Sequence, residues 1–234
     1  MTAHEIRKRL QILGNKEIAK ILRRFFKTGP GEYGEDDVFL GIKVPDLRRL
    51  AKEYQDISLQ ETTQLLTSPI HEERLLALLV LVRTYAKGNE FTKREIYELY
   101  CRYIKFINNW DLVDGSAAHI VGDFLMDKSK EPLYRLAKSK NFWLRRISII
   151  STFYFIKQNK FSETLKIAAI LISDEEDLIH KAVGWMLREV GKRDLQTEEK
   201  FLRDHYQKMP RTMLRYAIEK FPEPKRQHYL QGTI

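Results

Sequence analysis

Trp110 and Asp114 stand four residues apart in the segment Asn108-Asn109-Trp110-Asp111-Leu112-Val113-Asp114-Gly115-Ser116. On a helix this spacing puts them on one face. The pair couples a large π surface to a carboxylate, which suits a cationic ligand or a transition state that gains positive charge. A core tryptophan beside an aspartate at a helix end has the same spacing. A second segment, Asn141-Phe142-Trp143-Leu144-Arg145-Arg146, opens an apolar run with two adjacent guanidinium groups that need counter-charge. Phosphate oxygens match their forks, and salt bridges to neighbouring helices would serve as well. A third, His180 to Glu189, places Lys181, Trp185 and Arg188 at i, i+4 and i+7. That stripe, with Gly184 permitting close approach, reads as a nucleic-acid face or as a half-buried tryptophan between solvated charges.

Other combinations carry less. Gly29-Pro30-Gly31-Glu32-Tyr33-Gly34 fits a GxGxxG pattern, but a helical segment precedes it where a dinucleotide site needs a strand. Glu32, Glu35, Asp36 and Asp37 would repel a pyrophosphate, so a structured connecting loop is expected. The six histidines lack zinc-motif spacing, and the His119/Asp123 pair is too few ligands for a metal site. No metal and no cofactor are expected. Cys101, the single cysteine, excludes an intrachain disulfide and has no nucleophile-motif context.

The elements that must position these residues read as helices. Residues 72–86, 92–107, 142–158, 161–173 and 177–190 are longer than ordinary strands and contain no proline. Breaks at Gly14-Asn15, Thr28 to Gly34, Ser68-Pro69, Gly88-Asn89, Lys128 to Pro132, Ser139 to Asn141 and Pro210 read as turns between short helices. A cation followed by small and apolar residues recurs at Arg74, Arg146, Lys181 and Arg215, at offsets of 72, 35 and 34. Periods of about 35 residues belong to helix-pair repeats, which stack to leave a concave face. The expectation is an all-α, HEAT-like helical-repeat solenoid forming a single domain over 1–234, with a basic concave face.

Composition narrows the partner. With 41 Lys+Arg against 32 Asp+Glu the chain carries +9, which favours a polyanion. The longest apolar run, Leu75 to Val82, is far short of the roughly 20 residues of a membrane span. Met1 to Arg9 hold no apolar signal region, so a cytoplasmic protein is expected, nucleoid-associated when bound to DNA.

Taken in order, Trp-Asp-x-Val-Asp from Trp110, Trp-Leu-x-Arg from Trp143 and Lys-Ala-x-Gly-Trp-x-Leu-Arg-Glu from Lys181 resemble the HEAT-like repeat DNA glycosylases of the AlkD family. Phe39-Leu40-Gly41-Ile42, followed by Pro45 and Arg48-Arg49, also resembles that family, and the likeness runs from about residue 20 to residue 220. The resemblance implies hydrolysis of the N-glycosidic bond of N3- and N7-alkylated purines in double-stranded DNA, with the base left stacked. It implies Asp114 as the catalytic aspartate, Trp110 and Trp185 as active-site tryptophans, Arg146 as a phosphate-holding arginine and Arg188 at a DNA-facing position. Arg145 and Lys181 join the DNA-binding set from the stripes above, and a monomer is expected.

The residues agree with that chemistry. An N-alkylated purine is cationic and leaves without a general acid, and positive charge then develops on the sugar as in glycoside hydrolysis. A carboxylate and two π faces stabilise such charge. No lysine is placed as a Schiff-base nucleophile, so no strand cleavage is expected. The acidic stretch Thr28 to Asp37 resembles a separate branch of the superfamily, which keeps a non-catalytic binder of branched or bent DNA as the alternative.

Overall fold

The structure, a computed structural model, describes residues 1–35 and 37–234. Asp36 lies outside the described residues. The chain forms two compact units, Met1–Ser116 and Ala117–Ile234. Both are helical, and among the described residues the only β pairing is a single parallel bridge between Val38 and Ile70.

The first unit contains α1 (Ala3–Leu13), α2 (Lys16–Phe25), α3 (Val44–Glu53), α4 (Leu59–Leu66), α5 (His71–Lys87), α6 (Glu90–Arg102) and α7 (Trp110–Asp114). The leucine-rich run predicted over 72–86 is α5. It is buried from His71 through Leu78 and at Val80, Leu81 and Tyr85, on every side of the helix. A helix buried on every side belongs at the centre of its layer, and α3, α4, α6 and α7 pack against it. The run predicted over 92–107 stops earlier. α6 ends at Arg102, a 3₁₀ turn covers Ile104–Phe106, and the chain extends before α7.

The second unit opens with a π-helical turn, Ala118–Gly122. It continues through α8 (Asp123–Leu125), α9 (Glu131–Ala137), α10 (Phe142–Lys157), α11 (Ser162–Ile170), α12 (Asp177–Gly191), α13 (Leu195–His205), α14 (Arg211–Ala217) and α15 (Glu223–Gln231). Neighbouring helices pack together: α9 on α10, α11 on α10 and on α12, and α13 on α12, while α10, α12 and α14 contact one another in series. The repeat read from the sequence has a structural counterpart. Arg146, Lys181 and Arg215 are each the fifth residue of α10, α12 and α14.

Most of the expected breaks carry a helix stop or start. Asn15, Ser58, Asn89, Asn141 and Asp194 cap helices by accepting hydrogen bonds from the first-turn amides, which satisfies donors left over at a helix start. Gly184 departs from the sequence expectation. A β-carbon there would collide with the Met213 carbonyl and the Tyr216 side chain of α14. The close approach it permits is therefore helix to helix, and not to a ligand.

Candidate functional site

α7 is five residues long and forms few hydrogen bonds of its own, so its place is set by its surroundings. Asn109, fully buried, accepts from the Trp110 amide at 2.8 Å and donates to Asp37 Oδ2 at 2.8 Å. Leu112 and Val113 anchor the buried side. At the far end Ser116 Oγ donates to the Leu112 carbonyl and pairs with Tyr100 Oη at 3.0 Å. Burial, with smaller contributions from Cys101 and Asp114, holds that phenol well above its ordinary range, and the Ser116 bond opposes them.

The half-buried Trp110 stacks on Phe26 at 5.3 Å and meets the edge of the exposed Phe25 at 5.8 Å. Phe26 stacks in turn on Phe39 at 5.0 Å. Trp110 and Asp114 thus sit at the two ends of one helix, both partly exposed, with the intervening apolar residues turned inward. The arrangement offers an indole and a carboxylate on one side of a rigid element.

Behind α7 lies a buried charge cluster that the sequence reading did not assemble. His71 bonds Asp37 Oδ2 through Nδ1 at 2.9 Å and Asp111 Oδ2 through Nε2 at 2.8 Å. Arg74 pairs with the other oxygen of Asp37. Burial alone would strip the proton from His71, but the hydrogen bonds and charges of Asp111 and Asp37 reverse this and push it up to about 9. Burial likewise works against the Asp37 carboxylate, yet His71, Arg74 and Asn109 together hold it below the usual range. Beside the cluster, Glu72 accepts from the amides of Leu40, Gly41 and Ile42 at 3.0, 2.7 and 3.2 Å. Gly41 has φ +85°, and a β-carbon there would strike the Asn15 carbonyl. The Phe-Leu-Gly-Ile motif is thus a backbone cradle for a buried carboxylate. The partners of His71 are 34 and 40 residues away, so no local spacing signals them.

The loop predicted over 28–37 uses its own acids. Glu32 accepts from the Gly29 amide at 2.8 Å and Glu35 from the Gly31 amide at 3.0 Å. Those amides are the donors a phosphate would need. The loop ends in Asp37, which carries it into the cluster. α2, just before the loop, exposes Lys16, Lys20, Arg23 and Arg24, and the exposed Lys27 follows it, a concentration of cations that the motif reading passed over. Counting charges in that helix would have found it.

In the second unit, Lys181, Trp185 and Arg188 line the partly exposed side of α12, as the spacing predicted. Trp185 packs on Phe153 at 5.7 Å and donates Nε1–H to Glu189 at 3.3 Å. Lys181 pairs with Asp177 at 2.6 Å, and Arg188 pairs with Glu219. Arg145 clasps Asp174 with two nitrogens at 2.6 and 3.0 Å and donates to the Ser139 and Lys140 carbonyls. Arg146 is buried and donates to the Leu178 carbonyl of α12. The salt-bridge alternative thus accounts for Arg145 within the fold, and Arg146 ties α10 to the first turn of α12. Trp110 and Asp114 belong to the first unit and these five residues to the second.

Among the described residues, no group of three or more His, Cys, Asp or Glu side chains could hold a metal ion. None of their helices is long and apolar enough to cross a membrane. What fold and site define is an all-helical protein of paired helices, with aromatic faces, a carboxylate and cations on its half-exposed positions. The chain belongs to the family described as DNA alkylation repair enzyme, whose sequence profile matches residues 6–221. No curated protein matches. Two solved structures share the fold. One is from Enterococcus faecalis and is described as a predicted DNA alkylation repair enzyme; TM-score 0.68, 18% identity, covering 90% of this chain and 97% of its own. The other is smu.31 from Streptococcus mutans UA159; TM-score 0.54, 16% identity, covering 87% and 98%.

Proposed function

We propose that this protein is a monofunctional DNA glycosylase that hydrolyses the N-glycosidic bond of cationic N3- and N7-alkylated purines, such as 3-methyladenine and 7-methylguanine, in duplex DNA. The observation that carries the reading is the Trp110–Asp114 pair on a helix fixed from behind by a buried network. The C1′–N bond breaks with its electron pair going to the base, which leaves neutral, and positive charge passes to the sugar. Asp114 stabilises that charge and orients the water whose oxygen bonds to C1′ while one of its protons passes to solvent. The face of Trp110 adds π stabilisation. A partly exposed indole demands no deep pocket, in keeping with a base that stays stacked.

The exposed cations of α2 and the Lys181 side of α12 supply phosphate attraction. Lys181 and Arg188 would exchange Asp177 and Glu219 for phosphate oxygens. A phosphate contact by Arg145 or Arg146 would come in addition to the bonds each already makes. The protein would act as a monomer in the cytoplasm.

The test is release of 7-methylguanine from methylated duplex by the intact protein and by Asp114→Asn. The variant should keep its DNA affinity and lose about a hundredfold or more in rate. Absence of base release by the unmodified protein, with preference for junctions over plain duplex in a gel shift, would sink the reading in favour of branched-DNA binding. Normal release by Asp114→Asn would remove Asp114 from the mechanism.

A further inference from the structure

His71 touches no surface that DNA could reach, yet its geometry is unusual for a structural histidine. Each ring nitrogen lies within 3 Å of a carboxylate oxygen, Asp37 on one side and Asp111 on the other. Ionised carboxylates only accept hydrogen bonds, so both nitrogens must donate, and a ring that donates twice is an imidazolium. The charges close locally: His71 and Arg74 balance Asp37 and Asp111. Glu72 is turned to the Leu40–Ile42 amides and Glu73 to Arg7 of α1, while Phe26 and Phe39 cover the ring at 4.9 and 4.5 Å.

The two carboxylates are not equally held. Asp37 has His71, Arg74 and Asn109. For Asp111 the hydrogen bonds described are those from His71 and from the next amide in its own helix, that of Leu112. Loss of the imidazolium proton would set a bare nitrogen against one carboxylate oxygen. The weaker link, to Asp111, would yield first. Asp111 lies in the first turn of the five-residue helix that ends at Asp114.

We propose that His71, as the imidazolium clamped between Asp37 and Asp111, is the positioning residue that holds α7 and thereby aims Asp114 for base release. This rests on the glycosylase reading for its consequence, and on geometry alone for the clamp. A small misplacement of a catalytic group is costly in rate even when binding survives.

Two measurements on the full-length protein test it. Long-range proton–nitrogen NMR, with His71→Asn identifying the signal, should show both ring nitrogens protonated at about pH 7.5. The backbone amides of Trp110 to Asp114 should shift together as the ring titrates. Single-turnover release of 7-methylguanine should fall at alkaline pH along the same titration. Asp111→Asn keeps an acceptor for Nε2–H but removes the charge, so both the ring titration and the fall in rate should move about one pH unit lower. His71→Asn should slow release about tenfold with DNA affinity unchanged and abolish that alkaline limb. A neutral ring at neutral pH, or an alkaline limb unmoved in folded Asp111→Asn, would overturn the proposal. If the unmodified protein releases no base, the glycosylase reading fails, and the clamp is still decided by NMR: amides of α7 that ignore the His71 titration overturn it.

Discussion

The clamp makes a quantitative claim about stability. His71 titrates near 6.5 in an unstructured chain and at about 9 in the fold. Raising it by that interval corresponds to about 3 kcal/mol of preference of the proton for the folded state, at about 1.4 kcal/mol per pH unit. Because the folded value is the higher one, this stabilisation is complete below about pH 6.5, declines above it and is gone once pH passes about 9. Against a typical net stability of about 5–15 kcal/mol, such a loss is large. The perturbation is pH, with His71→Asn as the reference lacking the group. Urea titrations would be followed by Trp110 emission in a Trp143→Phe, Trp185→Phe background, which reports the first unit. Glu198, raised to about 8 by burial, also titrates across part of the window, but both proteins contain it and it cancels in the difference. Asp37, held below the usual carboxylate range by His71, Arg74 and Asn109, changes only in acid. Between about pH 6 and about pH 9.5 the His71-containing protein should lose about 3 kcal/mol more than the variant. Parallel curves would refute the doubly bonded imidazolium.

Two other substitutions follow from the second unit. Gly184→Val should destabilise by about 3 kcal/mol, read as a lower urea midpoint, because its β-carbon meets the backbone of α14 and not a flexible side-chain end. Glu198→Gln should remove a pH dependence: burial and the neighbouring Glu199 raise the Glu198 carboxyl to about 8, with Arg188 opposing them, so the unmodified protein should lose stability from about pH 4.5 to about 8. The variant's thermal midpoint should be flat up to about pH 6.5 and fall above it only with His71, and an equal slope in both proteins would show Glu198 to be ionised in the fold.

The helices were legible because their signals are local. Runs such as Glu72 to Ala86 and Phe142 to Lys157 are too long and apolar for strands, and asparagine or serine caps mark many of their ends. The 35-residue recurrence was legible for the same reason: it places a cation at the same turn of α10, α12 and α14. Trp110 with Asp114, and Lys181 with Trp185 and Arg188, were readable as faces because helical spacing fixes them. Tertiary partnership was not readable. Arg145 reads from its sequence neighbours as a DNA ligand or a salt-bridge former, and only Asp174, on the turn before α12, decides what its fork holds. His71 is one histidine among six until the fold brings Asp37 and Asp111 to its two nitrogens.

The cluster also bears on why a carboxylate at Asp114 can serve a cation. Asp111 and Asp114 stand at i and i+3 on one short helix, where like charges repel. Asp114 ends that helix, where the backbone carbonyls already present partial negative charge. An unpaired Asp111 would add to this field and favour moving either group or binding a counterion between them. Protonated His71 neutralises Asp111 from the buried side, as Arg74 does for Asp37. The net negative charge of α7 then resides on Asp114, at its partly exposed C-terminal end. The acidic loop, which dilutes a basic protein by several charges, contributes to this directly: its last residue, Asp37, is one of the two anions that keep His71 charged.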